Sequence, residues 1–340
     1  MSRHIITTRR IGRGALLLVG ALVLVGCTTG PVALGAVGLP SLSLNAPLTT
    51  VACTSAGTCI ALGASGTSNA PTTTAQIRNH QGVWSVLNVP AAPVASFYAG
   101  SCATTRCYFG GTKSTGELLW SINADNGHLN ALAGPAGGLV IRELSCVSDN
   151  ACAALDVAAN NLLRLSYTTN AGATWSAPRT LHWAWDTSTA ISCVAVTDCY
   201  IASTSPTHVV TLRQTLNGGL RFSTVATPAT WRSVSSLQCA SQCTALVNTA
   251  ATSAVATQGN LHVWHQTNLT FDAAALSCAP TTRCLAVGQL SNHTPAMVQW
   301  TPLGVHSVAL TYVPSALTDV ACQSQVCVAI GVTTVVALRP

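Results

Sequence analysis

Fourteen of the fifteen cysteines stand in seven close pairs, and this repeat constrains the fold more than any other feature of the 340-residue chain. The pairs are Cys53/Cys59, Cys102/Cys107, Cys146/Cys152, Cys193/Cys199, Cys239/Cys243, Cys278/Cys284 and Cys322/Cys327. Their first members lie 49, 44, 47, 46, 39 and 44 residues apart. Self-similarity at such a period points to a propeller or a solenoid. The first cysteine usually ends an apolar–small–Cys triplet, as in Leu144-Ser145-Cys146 and Ile191-Ser192-Cys193. The second opens an alternating run, as in Cys59-Ile60-Ala61-Leu62-Gly63 and Cys284-Leu285-Ala286-Val287-Gly288. Alternation on both sides of a three-to-five-residue loop predicts a β-hairpin. Paired strands bring Cα atoms near the ~5.5 Å that a disulfide needs.

Zinc is the competing use of paired cysteines. Structural zinc favours two to four intervening residues with further ligands nearby. Only Cys239/Cys243 has three intervening residues, and no histidine adjoins any pair. Seven local disulfides are therefore expected, each closing a small loop worth roughly 2 kcal/mol at most. No metal and no cofactor is expected.

A second strand pair follows each cysteine hairpin: Thr74–Asn88, Glu117–Leu132, Asn161–Thr180, His208–Thr227, Ser253–Leu269, Pro295–Val313 and, incompletely, Val332–Pro340. Four strands in each of seven repeats predict an all-β, seven-bladed β-propeller over residues 37–340. A β-helix would repeat with a shorter, more regular rung. The last repeat is one strand short, whereas residues 37–47 have no repeat of their own and look like the fourth strand of the first unit. The expectation is that they pair with Val332–Leu338 and close the ring, removing exposed strand edges.

Charged residues are 7% of the chain, against about 25% in an average globular protein. Four of the fifteen basic residues, Arg3, Arg9, Arg10 and Arg13, crowd the N-terminus, leaving eleven against nine acidic ones. Such a chain lacks the basic stripe that nucleic acid requires. The arginines precede an uncharged apolar segment, residues 14–26, which is the order of an export signal and short of the ~20 residues that span a bilayer. Leu24-Val25-Gly26-Cys27 resembles a bacterial lipobox. That resemblance implies a signal peptide over 1–26, acylation of Cys27, a tether over 27–36 and an extracytoplasmic, membrane-anchored protein. An uncleaved anchor is the alternative, because the mostly apolar stretch continues to Pro40. Thr8-Arg9-Arg10-Ile11 faintly resembles a twin-arginine export signal.

Thr168-Thr169-Asn170-Ala171-Gly172-Ala173-Thr174-Trp175 resembles the Asp-box of sialidase-type propellers, with Asn170 in the aspartate position. Thr215–Phe222 is a degraded copy, and His80–Trp84 keeps the glycine and the tryptophan. The cysteine rhythm is also similar to secreted bacterial repeat proteins grouped with photosystem II assembly factors and BNR families. This resemblance implies architecture. The motif is a structural turn, so it carries no activity. A sialidase needs an arginine trio, a tyrosine–glutamate pair and an aspartate, and this chain has only Glu117 and Glu143 as glutamates. Glu117, at a strand start, reads as a solvated edge charge. His262 and His265 flank Trp264 on a strand and read as packing residues rather than metal ligands.

Strand alternation places the cysteine loops and Asp-box-like turns on one face, and the inter-blade connectors on the other. The connector segments hold Phe97-Tyr98, Arg142-Glu143, residues 182–186, Trp231-Arg232 and Phe271-Asp272. Phe97 and Phe271 read as blade caps. The expected binding patch is Trp183, Trp185, Asp186, Trp231 and Arg232, since exposed aromatic and arginine side chains anchor protein or sugar ligands. The same tryptophans could instead wedge between blades. The reading is a non-catalytic, lipid-anchored binding or scaffold propeller for a protein partner or envelope glycan. Its rival is a sialidase-type glycoside hydrolase, which would put a glutamate, an aspartate and two arginines in the central funnel.

Overall fold

Each cysteine pair of the repeat sits on directly opposed residues of an antiparallel hairpin, such as Cys102 opposite Cys107, Cys146 opposite Cys152, Cys193 opposite Cys199 and Cys322 opposite Cys327. In the computed structural model all seven pairs are disulfides, with Cα–Cα distances of 3.8–4.0 Å. The strands therefore approach more closely at the bridges than the expected ~5.5 Å of a hydrogen-bonded pair. Cys59, Cys107, Cys152 and Cys199 are fully buried, so these sulfurs belong to the core and are not a surface feature. Cys284 also corrects the expectation that the second cysteine opens its strand, since that strand is Arg283–Gln289 and starts one residue earlier. The structure describes residues 37–38, 47–65, 72–89, 94–184, 188–259, 263–279, 283–310, 313, 315–323, 326–332 and 334–338. All belong to one unit, Ala33–Pro340.

Among the described residues the strands form seven four-stranded antiparallel sheets, the blades of a propeller. The innermost strands, in blade order, are Thr50–Cys53, Val94–Cys102, Gly138–Ser148, Thr189–Ala195, Trp231–Cys239, Asp272–Ala279 and Leu317–Gln323. Six blades are built from consecutive strands. The seventh takes Val37–Gly38 as its outermost strand, in register with Ala337 and Val336. The expected closure by the N-terminal segment is therefore present, and neither end of the ring is left as a free edge.

Every blade is sandwiched between two others, so both faces of an inner strand can be buried. Cys59, Ile60, Ala61 and Leu62 are all fully buried. This is how a chain with so few charges forms a core: the alternation read from sequence is one of size, not of polarity. Ile60 and Leu62 pack towards blade 2, whereas Cys59 and Ala61 pack towards blade 7. Leu285 and Val287 face blade 7, while Cys284 and Ala286 face blade 5. In these blades large side chains point to the next blade and small ones to the previous, a rule that Val328 and Ala329 repeat. Blade 2 departs from it. Cys107 and Phe109 pack back against Ile60 and Leu62, and Tyr108 takes the forward side against Ile141. Gly110 makes room there, because a Cβ on it would lie 2.4 Å from Ile141 Cγ2. Burying one such Leu or Ile is worth ~1.5–3 kcal/mol.

The glycine that ends this run has a steric cause. A Cβ on Gly63 would lie 1.7 Å from the Pro47 carbonyl oxygen, and one on Gly288 would lie 2.0 Å from that of Asp272. The obstacle is the segment leading into the innermost strand of blade 1 and the first residue of that strand in blade 6.

Candidate functional site

The innermost strands have one edge without a strand partner, and these edges enclose a central channel of about 380 Å³. An unpaired strand edge needs acceptors for its N–H groups. The repeat supplies them through the residue just before each first cysteine. The Cys146 N–H donates to Ser101 Oγ at 2.9 Å, Cys193 to Ser145 at 2.9 Å, Cys239 to Ser192 at 2.8 Å and Cys322 to Ser277 at 2.9 Å. Cys278 donates to Gln238 Oε1. Each bond joins one blade to the next. Blades 1 and 7 carry Ala52 and Ala321 at this position, and there Cys53 Sγ contacts the Ala321 carbonyl oxygen at 3.7 Å instead. In the sequence these residues show only their small size. The recurrent Ser-Cys dipeptide was the signal for the hydroxyl's role.

A second, partial belt lies two residues deeper. The Leu276 N–H donates to Ser236 Oγ at 3.1 Å, and the Val51 N–H donates to Asp319 Oδ2 at 2.9 Å. Ser236 and Asp319 stand in the same position, three residues before the first cysteine of their blades. Glu143 is the equivalent residue of blade 3 and accepts a hydrogen bond from the Thr189 side chain of blade 4. Burial, and then the Asp319 charge, push the Glu143 carboxyl up to about 8. Burial pushes Asp319 up to about 6, against the bonds from Val51, Val320 and Thr50. Both carboxyls are thus shifted towards their protonated forms, Glu143 further than Asp319. One residue nearer the connector face, the Arg142 guanidinium lies 4.3 Å from the ring centroid of Tyr98, which is 43% exposed.

Four expectations need correction. Arg142 and Glu143 belong to an innermost strand rather than to a connector, because that strand starts at Gly138. Phe97-Tyr98 likewise falls inside Val94–Cys102. Trp231 is only 2% exposed and packs edge-on against Trp264, with centroids 4.9 Å apart. It is a wedge between blades 4 and 5, not an exposed anchor, because the innermost strand begins with it and carries its ring inward. Glu117 is not a solvated edge charge. It is half-buried beside Gly134 and Gly138, near the fully buried Asp156, whose Oδ1 accepts from Arg164 Nε at 2.6 Å. Burial and then the Asp156 charge push Glu117 up to about 8.

Of the other expected patch residues, Arg232 is exposed. Trp183 lies in the outermost strand of blade 3, Arg179–Ala184, with its side chain outside the described residues. Trp185 and Asp186 lie outside the described residues altogether, as does Cys27. Phe97 and Phe271 are buried, as their reading as caps requires. The Asn170 turn is closed by Thr174 N–H to Asn170 Oδ1 at 2.9 Å and Gly172 N–H to Thr168 Oγ1 at 3.0 Å. The Asn217 turn repeats the pattern through Arg221 and Gly219. Among the described residues no group of three or more His, Cys, Asp or Glu is placed to hold a metal ion.

No protein-family model matches the chain, and no curated protein matches it. Solved structures do. A virginiamycin B lyase from Staphylococcus aureus superposes with a TM-score of 0.66 at 8% identity, covering 90% of this chain and 99% of that one. YCF48 bound to D1 peptide gives 0.61 at 10% identity, covering 90% and 96%. The GH74 enzyme of Niastella koreensis gives 0.64 at 10% identity, covering 88% of this chain and 53% of that one. At such low identity the likeness shows the fold alone: this chain is a β-propeller.

Proposed function

We propose that the protein is an extracytoplasmic, lipid-anchored binding propeller that recognises a protein partner or an envelope glycan and does not catalyse. The observation that carries this reading is the equivalence of Asp319 and Ser236. Both accept the same N–H of the next blade, so the channel carboxylate does a job that a serine does elsewhere. Glu143 takes the third such position and is likewise engaged by the neighbouring blade. Groups held this way tie blades together; they are not aimed at a substrate. The second glutamate, Glu117, sits between blades 2 and 3 beside Asp156 and Arg164, away from the residues that line the channel. Glu143 and Asp319 do share the channel, but none of its described lining residues is an arginine, so the glutamate–aspartate–two-arginine funnel of the hydrolase reading is incomplete there. Solved propellers of similar shape include one bound to a peptide, which is consistent with recognition by this scaffold.

The test is capture of cross-linked envelope components by full-length protein, beside an assay with fluorogenic glycosides. Specific capture without turnover is expected. Turnover lost in Glu143→Gln would replace this reading with the hydrolase. Cys27→Ala should lose lipid labelling and membrane retention; unchanged labelling would refute the anchor.

A further inference from the structure

The cysteine loop of blade 5 is the shortest of the seven. Its bridge has a sequence separation of 4, against 5 or 6 elsewhere. In blades 2, 3 and 4 the residue two before the second cysteine lends its carbonyl to the outer turn of the same blade. Ala124 N–H donates to Thr105 O at 2.7 Å, Ala171 to Asn150 at 2.9 Å and Gly218 to Thr197 at 2.9 Å. These bonds lay the turn over the end of the sheet. The shorter loop of blade 5 keeps the bond that also closes the loops of blades 1 and 2, with Ala240 N–H donating to Gln242 O at 3.0 Å as Thr54 does to Thr58 and Ala103 to Arg106.

At the end of blade 5 lies a groove of about 740 Å³, lined by this loop and reaching from the channel mouth to the 300–304 turn of blade 6. That size is usual for a ligand site. Its floor is the row Thr244, Thr257 and His265, in direct cross-strand register. This row continues the face on which Leu246 and Val255 pack against blade 6. The residue after the second cysteine begins the row in every blade. It is Ile60, Tyr108, Ala153, Tyr200, Leu285 and Val328 in six blades and Thr244 in the fifth. Outer positions of the row are polar in other blades too, as at Gln214 and Ser223 or Gln299 and His306, but only blade 5 begins it with a residue that is neither apolar nor aromatic, which fits an inner end that stays wet. Trp300 and Leu303, the latter 95% exposed, form the apolar wall.

We infer that this groove binds a neutral oligosaccharide; the assignment rests on the binding reading above and names its ligand class. None of the described lining residues is Lys, Arg, Asp or Glu. The hydroxyls of Thr244 and Thr257 and the amide of Gln238 can each donate and accept, as sugar hydroxyls do. An indole beside them suits the apolar face of a pyranose ring. A charged polymer would find no counter-charge here, and an apolar helix would leave the threonine row unpaired.

The experiment titrates full-length protein with cellotetraose, chitotetraose, maltotetraose and mannotetraose, following tryptophan fluorescence and heat. At least one should bind. His265→Ala and Thr257→Val should each weaken it by about tenfold, the equivalent of one good hydrogen bond. A two-residue insertion after Ser241, restoring the spacing of Cys193 and Cys199, should abolish binding. Melting temperatures of the three variants serve as the folding control. If none of the four sugars binds, or if the variants bind as the wild type does, the assignment falls. An envelope component still captured by the insertion variant would overturn the groove and leave the binding reading standing. Loss of all capture by the wild type would sink the binding reading itself. Uncharged peptides that bind wild type but not the insertion variant would make the groove a peptide site and overturn the sugar assignment.

Discussion

The Cys193 N–H of blade 4 donates to the Ser145 hydroxyl of blade 3 across 2.9 Å. The bond satisfies an edge amide that has no strand partner. Ser145→Ala leaves that amide without its acceptor, at a cost of about 1–3 kcal/mol. Thermal unfolding should show a clear drop, and hydrogen exchange should show faster exchange at the Cys193 amide. Unchanged exchange would mean that water takes the hydroxyl's place and the belt contributes nothing.

Trp231 is enclosed by blades 4 and 5, against Trp264 and among Ala202, Leu212 and Val247. Trp231→Ala should cost about 3–5 kcal/mol through the cavity it leaves. Arg232, its exposed neighbour, should be replaceable by alanine within about 0.5 kcal/mol. Chemical denaturation of the two variants checks both; near-equal midpoints would contradict the wedge.

Gly288 allows the Asp272 carbonyl to approach within 2.0 Å of where a Cβ would stand. No rotamer relieves a clash at Cβ. Gly288→Ala should therefore shift the strand that enters blade 6, costing about 3 kcal/mol or more. Wild-type melting of that variant would show that the entering segment gives way freely.

Glu143 is raised in the folded state from 4.5 to about 8, so the native protein binds its proton more tightly than the unfolded chain does. Stability from this group is fully present below its unfolded value and is lost as pH rises through the folded one. Wild type and Glu143→Gln should differ least at acidic pH. The variant should gain on the wild type as pH rises towards about 8 and keep that advantage above it. Glu117 is also raised to about 8, so only the difference between the two proteins isolates Glu143. Parallel melting profiles across pH 5–9, the window that brackets these shifts, would refute the assignment.

Val37–Gly38 completes blade 7 by pairing with Val336 and Ala337. Deleting residues 28–46 leaves Cys27 and the Pro47 contact with Gly63 in place but exposes the Thr334–Leu338 edge. Aggregation or a clearly lowered melting temperature is expected, because an open edge templates pairing with other chains. A monomeric truncation with unchanged melting would show that closure is dispensable.

The architecture was legible because it is written in local periodicity. Cysteine spacing, hairpin alternation and the missing last strand are all properties of contiguous segments, and pairing between adjacent segments follows from them. The Asn170 and Asn217 turns are local too, and their hydrogen bonds close within five residues. What tertiary structure decided is everything that depends on the neighbouring blade. Glu143 and Asp319 lie 176 positions apart in the chain, and only ring closure puts both on the channel wall. Trp231 reads as a surface aromatic until the preceding blade is stacked over it. Glu117 reads as an edge charge until Asp156 and Arg164 of the next blade enclose it. The short Cys239–Cys243 loop is visible in the sequence. The groove that this loop helps to line, over Thr244 and Thr257, exists only because the turn of blade 6 forms the far wall. Periodicity specifies each blade, whereas burial and charge are set between blades, where sequence distance carries no information.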